Sequence, residues 1–176
     1  MDDFGVAQVA SNTGVYLWTV EHNLGFLIYT AGITRRPFQQ RFREHTRAYQ
    51  SGVYTVFDAA DLARGERNKI WPGFWFRRRT PQLKAEYQRR ASEIGDALEK
   101  LLSAYRVFVA PVSTTPRVLE RIEAAIMNAL YAAKGIPSII PDRGMSLSPR
   151  WEQEPVLMVR SIIGFPLHGL PSEFEA

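Results

Sequence analysis

Residues 14–31 read GVYLWTVEHNLGFLIYTA, two runs of β-branched and aromatic residues joined by His22-Asn23-Leu24-Gly25, and this pattern limits the fold more than any other. Such runs favour extended backbone, and a short joint containing asparagine and glycine between them is a β-hairpin signal. Nearly every position is apolar, so neither face of the pair suits water and other elements must cover both. Two turn geometries are open. If Asn23-Leu24 forms a two-residue turn, Tyr29 lies opposite Trp18 and shares the face of Tyr16. If Asn23-Leu24-Gly25 forms a three-residue loop with Gly25 left-handed, Thr30 takes that place, and Gly25 favours this second geometry.

The covering elements follow along the chain. From Pro37, PFQQRFREHTRAYQSG reads as a helix, with proline in the first turn, Phe38, Phe42 and Tyr49 at helical spacing and Gly52 as the stop. Arg41 and His45 stand four apart, so they project from one face about one turn apart. Residues 53–79 read as irregular or part-strand, with a short helix near Ala59 to Arg64. One long amphipathic helix is expected from about Gln82 to Ala104, its apolar side formed by Leu83, Tyr87, Ile94, Leu98, Leu101 and Leu102. RVFVAPVS at 106–113 reads as a strand. A helix launched by Thr115-Pro116 and stopped near Gly135 comes next, with Val118, Ile122, Ala125, Ile126, Ala129 and Ala133 as its apolar stripe. Beyond Pro137 the chain is rich in proline and glycine, with one strand at about 155–160 before a loose end. The order predicts an α+β fold: a small mixed or antiparallel sheet, made of the hairpin plus at least one further strand, flanked by helices. A chain of 176 residues suits a single domain, 1–176, and residues 58–104 look like a helical insertion within it.

Composition narrows the chemistry. With no cysteine, disulfides, thiolate metal sites and a cysteine nucleophile are excluded, so any metal needs oxygen or imidazole ligands and a hard cation is favoured. Net charge is only +4, but of the 22 basic residues Lys69, Lys84, Lys100 and Lys134 alone are lysines. Arginine matches phosphate bidentately, and the clusters Arg35, Arg36, Arg41, Arg43, Arg47 and Arg77, Arg78, Arg79 suit a nucleic-acid backbone, although a solvated basic face would read the same way. Within IWPGFWFRRR, bulky aromatics adjoin three of these arginines; either the aromatics stack on bases, or Trp71, Phe74 and Phe76 are core under an exposed basic run. No apolar run reaches the roughly 18 residues needed to span a bilayer, and the first residues, with Asp2 and Asp3, lack the pattern of a signal peptide. A soluble, intracellular, cytoplasmic protein without a membrane partner is expected.

Gly14-Val15-Tyr16, then Tyr29-Thr30-Ala31-Gly32-Ile33-Thr34, then Phe38 through His45 with Arg41 inside, together resemble the GIY-YIG nuclease module over about 32 contiguous residues. The second tyrosine stands one place earlier than in the family, with Thr30 where it would be. The resemblance implies a hairpin and helix carrying tyrosine and arginine, and a metal-binding glutamate on a later helix. Glu120 and Glu123 are available there; Glu123 borders the apolar stripe while Glu120 lies far round the outside, so Glu123 is the better ligand. Many members also carry an asparagine after that helix, where only Asp142 is comparable here.

The resemblance thus implies a DNA endonuclease whose catalytic residues are Tyr16, Tyr29, Arg41, His45 and Glu123, with Glu123 on Mg²⁺ or Mn²⁺ and Arg35, Arg36, Arg43, Arg77, Arg78 and Arg79 toward the nucleic acid. Arg41 would grip the phosphate, and either Tyr16 or His45 would be the base. DNA is the expected partner, and a homodimer is possible because cutting both strands of palindromic DNA usually takes two copies. The alternative is a noncatalytic nucleic-acid-binding or protein-interaction module on the same fold, in which salt-sensitive binding occurs without cleavage.

Overall fold

The hairpin forms as its residue pattern requires, and the rest of the chain is arranged to cover it. A computed structural model describes residues 8–75, 77 and 79–176. After a 3-10 turn at Gln8–Ser11 come β1 (Gly14–His22), β2 (Gly25–Thr34), α1 (Phe38–Gln50), β3 (Val56–Phe57), α2 (Ala59–Arg64), β4 (Lys69–Trp71), α3 (Pro81–Arg89) and α4 (Ala91–Ala104). Then follow β5 (Tyr105–Pro111), α5 (Pro116–Ala132), α6 (Ile136–Ile139), β6 (Met158–Arg160), β7 (Leu167–His168) and β8 (Glu173–Glu175). The fold is α+β. Its main sheet has four strands in the order β5-β1-β2-β7, antiparallel except for the parallel β2-β7 pair, and two small sheets pair β3 with β4 and β6 with β8.

Both faces of the hairpin are covered. On one face Tyr16, Trp18, Val20, Leu27 and Tyr29 meet Phe38 and Tyr49 of α1, together with Val56, Phe57, Leu62, Trp71, Ile94, Leu98 and Leu101. Much of residues 58–104 is therefore the layer that closes this face of the sheet. On the other, Val15, Leu17, Ile28 and Ala31 meet Leu119, Ile126, Met127 and Leu130 of α5, with Leu167 from β7. Full burial of each large apolar side chain contributes roughly 1.5–3 kcal/mol. No helix among the described residues is long and apolar enough to cross a membrane.

The hairpin register combines the two geometries left open by the sequence. His22 pairs with Gly25, and Asn23 takes the left-handed conformation at φ 51°, so the turn has two residues and not the three that Gly25 suggested. Gly25 is needed for a different reason: a Cβ there would lie 2.4 Å from the Pro166 carbonyl oxygen. Between Trp18 and Thr19 the register shifts, Thr19 facing Ile28 and Trp18 facing Thr30, which leaves Tyr29 as the extra residue of a β-bulge. Beyond the bulge Tyr16 pairs with Gly32.

Three further expectations are corrected. The long helix is two helices, broken at Arg90 (φ −99°, ψ 13°), whose guanidinium donates to the Ile70 carbonyl at 2.9 Å and to Glu93 at 2.8 Å. The break lets α3 lay Leu83 and Tyr87 toward Trp71 and Phe74 while α4 packs Ile94, Leu98 and Leu101 under the sheet. In α5 the buried positions are Leu119, Arg121, Ala124, Ile126, Met127 and Leu130, a rotated stripe compared with the sequence reading. The reason is that α5 is covered from a second side, where buried Arg121 donates to the carbonyl oxygens of Pro155 and Ala176. Nor is the tail loose: β7 extends the main sheet, β6 pairs with β8, and Arg117 holds Glu154 at 2.6 Å.

Candidate functional site

Where β1, β2, α1 and α5 converge, a cleft of about 290 Å³ is lined by Tyr16, Thr30, Gly32, Arg41, His45, Tyr54, Trp75, Glu123 and Asp142, among others. Strand alternation places Tyr16 on the face toward α1, and the helix brings Arg41 and His45 to it one turn apart. The Tyr16 hydroxyl lies 2.9 Å from His45 Nε2 and accepts a hydrogen bond from Arg41 Nε at 3.2 Å. Tyr16 can lie there because its cross-strand partner is glycine. A Cβ on Gly32 would meet the Tyr16 ring and hydroxyl at 2.3–2.6 Å.

Burial sets the protonation of this group. It raises the Tyr16 phenol above its ordinary value, against the lowering effect of Arg41, so the phenol keeps its proton at neutral pH. His45 is lowered to about 4 by burial and by the neighbouring Arg41 charge, so its ring is neutral and Nε2 is free to accept the Tyr16 proton. Burial opposes the Arg41 charge as well, but Tyr16, Tyr54 and Glu44 outweigh it, and its pKa lies above the ordinary value. Glu44 orients the guanidinium from 3.5 Å.

Glu123 enters from α5. It falls within the buried arc of that helix, one turn from both Leu119 and Met127, and not at the border the sequence reading gave it. Burial pushes its carboxyl up to about 7, while a hydrogen bond from the Ile33 backbone and the Arg41 charge pull the other way. Glu120 points elsewhere and pairs with Arg35 at 2.7 Å. Among the described residues no group of three or more His, Asp or Glu side chains forms a ready-made metal cage. A cation here would have Glu123 as its principal protein ligand. Asp142 also lines the cleft, its carboxylate accepting from the Gly144 N–H at 3.1 Å.

Tyr29 and Thr30 both reach the cleft because of the bulge. Tyr29 forms its floor, buried against Phe57 at 5.8 Å and Tyr105 at 6.0 Å between ring centroids, and burial holds its hydroxyl well above the ordinary range. Thr30 donates to the Met145 sulfur at 3.1 Å. Arg35 and Arg36 are already matched by Glu120 and Glu44, the latter at 2.6 Å, whereas Arg43, Arg77 and Arg79 are exposed. Phe76 and Arg78 lie outside the described residues. In the aromatic run Trp71 is wholly buried, Phe74 half-buried beside it and Trp75 exposed, so that segment divides between core and surface.

Sequence reading missed Gly32 as the residue that admits Tyr16, Glu44 as the brace of Arg41, and Arg67, which lies 6.0 Å from the Tyr29 ring centroid. It also missed Tyr54, whose ring lies 5.7 Å from that of His45. Glu44, at i+3 from Arg41, carried a readable signal; Tyr54 and Arg67, placed by loops, carried none. Comparison with protein-family models, with curated proteins and with solved structures gives no match.

Proposed function

We propose that the protein is a metal-dependent DNA endonuclease of the GIY-YIG type. The observation that carries this reading is a single phenol oxygen, that of Tyr16, held at once by an imidazole and a guanidinium in a cleft that also contains the half-buried Glu123 carboxyl. Phosphodiester hydrolysis needs a water placed for attack, somewhere for its proton to go, and positive charge where negative charge grows on phosphorus. In this reading Tyr16 orients the attacking water. As the water loses its proton to the Tyr16 oxygen, the Tyr16 proton passes to His45 Nε2, and Arg41 Nε steadies the charge developing on the phenol oxygen. A phosphate gripped by Arg41 offsets one of the two causes that depress His45 and so makes the imidazole a better acceptor at the moment it is needed.

The donor set suits Mg²⁺ or Mn²⁺. Glu123 is an oxygen ligand kept partly out of water, and a hard cation accepts one carboxylate when water and phosphate complete its shell. Glu123 would hold the ion, which when bound supplies positive charge to a nonbridging phosphate oxygen and to the leaving 3′ oxygen. The test is incubation with supercoiled plasmid and with branched or single-stranded DNA in Mg²⁺ or Mn²⁺. Metal-dependent nicking is expected in the wild type and a loss of about 10²–10³-fold or more in Arg41→Ala and Glu123→Ala. No nicking under any condition, or undiminished nicking in both variants, overturns the reading. Salt-sensitive binding without cleavage would make the protein a binding module instead.

A further inference from the structure

We infer that Trp75 is a stacking subsite for an unpaired nucleobase, so that the cleft takes DNA whose nucleotides beside the scissile phosphate are single-stranded, flapped or bulged; the inference rests on the nuclease reading above. Trp18 and Trp71 are buried; Trp151, 58% exposed, has the Arg117 guanidinium over one face, 4.2 Å from its ring centroid, and does not line this cleft. Trp75 is 66% exposed and lines the same cleft as Tyr16, Arg41 and Glu123.

The exposed ring stands on a fixed support. The Phe74 and Trp75 backbone N–H groups donate to the carbonyls of Gly52 and Val53 at 2.9 and 2.8 Å, and the Trp71 indole N–H donates to the Gly52 carbonyl at 2.8 Å. Gly73, at φ +80°, lets this loop press so close to residues 53–55 that a Cβ would meet their backbone atoms at 2.8 Å. The loop that presents Trp75 is thus tied to the segment that carries Tyr54. Exposed Arg77 and Arg79 follow on the same loop, Arg79 lying 5.2 Å from the Phe74 ring centroid. A flat aromatic face beside exposed cations is the combination that single strands use, since every base has a π-face and every nucleotide a phosphate. In a continuous duplex both faces of a base are covered by its neighbours, so the ring of Trp75 can meet a base face only where pairing or stacking is interrupted.

The experiment measures affinity of the full chain, in EDTA, for oligonucleotides carrying 2-aminopurine either in a bulge or single-stranded arm or in an uninterrupted duplex. Wild type is expected to bind the interrupted DNA more tightly and to quench its fluorescence. Trp75→Ala is expected to lose on the order of ten- to a hundred-fold in affinity for it, with little change on duplex, and Trp75→Phe to recover most of that loss. Unchanged affinity in Trp75→Ala, or equal losses on both DNAs, overturns the inference. So does loss of self-association on sedimentation, which would make the ring a contact between two copies. Because binding is read without metal, selective loss in Trp75→Ala stands even if no DNA is ever cleaved. Conversely, intact cleavage that is indifferent to Trp75 refutes the subsite and leaves the nuclease reading untouched.

Discussion

The two helices that bring polar groups to the cleft do so in opposite ways. From α1, Arg41 and His45 arrive already bonded to Tyr16, and Glu44 braces Arg41 from behind. From α5, Glu123 arrives half-buried, with a carboxyl that burial has driven up to about 7. One wall is preassembled; the other is short of positive charge. The difference teaches that the α1 side is bonded within itself, whereas the α5 side would gain most from the cation proposed above.

The largest expected effect comes from dismantling the preassembled wall at its shared atom. Tyr16→Phe should lower cleavage by roughly 10²–10⁴-fold, as loss of a proton-transfer group does, while leaving DNA affinity within a few-fold. A Tyr16→Phe protein that cuts at the wild-type rate would show that the three-way contact is structural only. Gly32→Ala attacks the same contact from the opposite strand. The added methyl must displace the Tyr16 ring, and a cost of about 1–3 kcal/mol is expected on denaturant unfolding together with loss of activity. Unchanged stability there would mean that the hairpin can spread without consequence.

The pH dependence of stability in EDTA separates the walls. His45 is depressed from 6.5 to about 4, so the native state binds fewer protons than the unfolded chain between these values and its contribution is lost as pH falls through that window. Glu123 is raised from 4.5 to about 7, so the native state holds its proton longer and that contribution is lost as pH rises toward 7. In the wild type the opposed slopes largely cancel between pH 4.5 and 6.5. Glu123→Gln should therefore give a melting temperature that rises with pH across the window, and His45→Gln one that falls. Parallel curves for all three proteins would contradict the asymmetry. The smallest effect concerns Arg35, whose exposed pair with Glu120 should be worth about 0.2–1 kcal/mol; Arg35→Ala should barely alter stability and should lower the salt slope of DNA binding by about one.

Much of this was legible in the sequence because it is written in local periodicity. The apolar runs around Asn23 fixed a hairpin covered on both faces, and the spacing of Arg41 and His45 placed both on one side of α1. What escaped reading depends on contacts distant in sequence. The bulge at Tyr29 puts both turn geometries into one hairpin, so no single register inferred from the turn could place both Tyr29 and Gly32. The buried arc of α5 is turned by Arg121, a charged residue that composition alone assigns to the surface but that the tail covers through carbonyl groups of Pro155 and Ala176. That rotation moves Glu123 from a border into the buried arc and takes its carboxyl partly out of water.

The most direct test is a crystal structure of Tyr16→Phe, slowed in cleavage, with Mn²⁺ and a DNA containing a short bulge. A manganese ion on the Glu123 carboxylate, with a backbone phosphate between it and Arg41, is the expected result. DNA bound with its phosphates away from Arg41, or manganese with no contact to Glu123, would contradict the assignment of this cleft as a nuclease site.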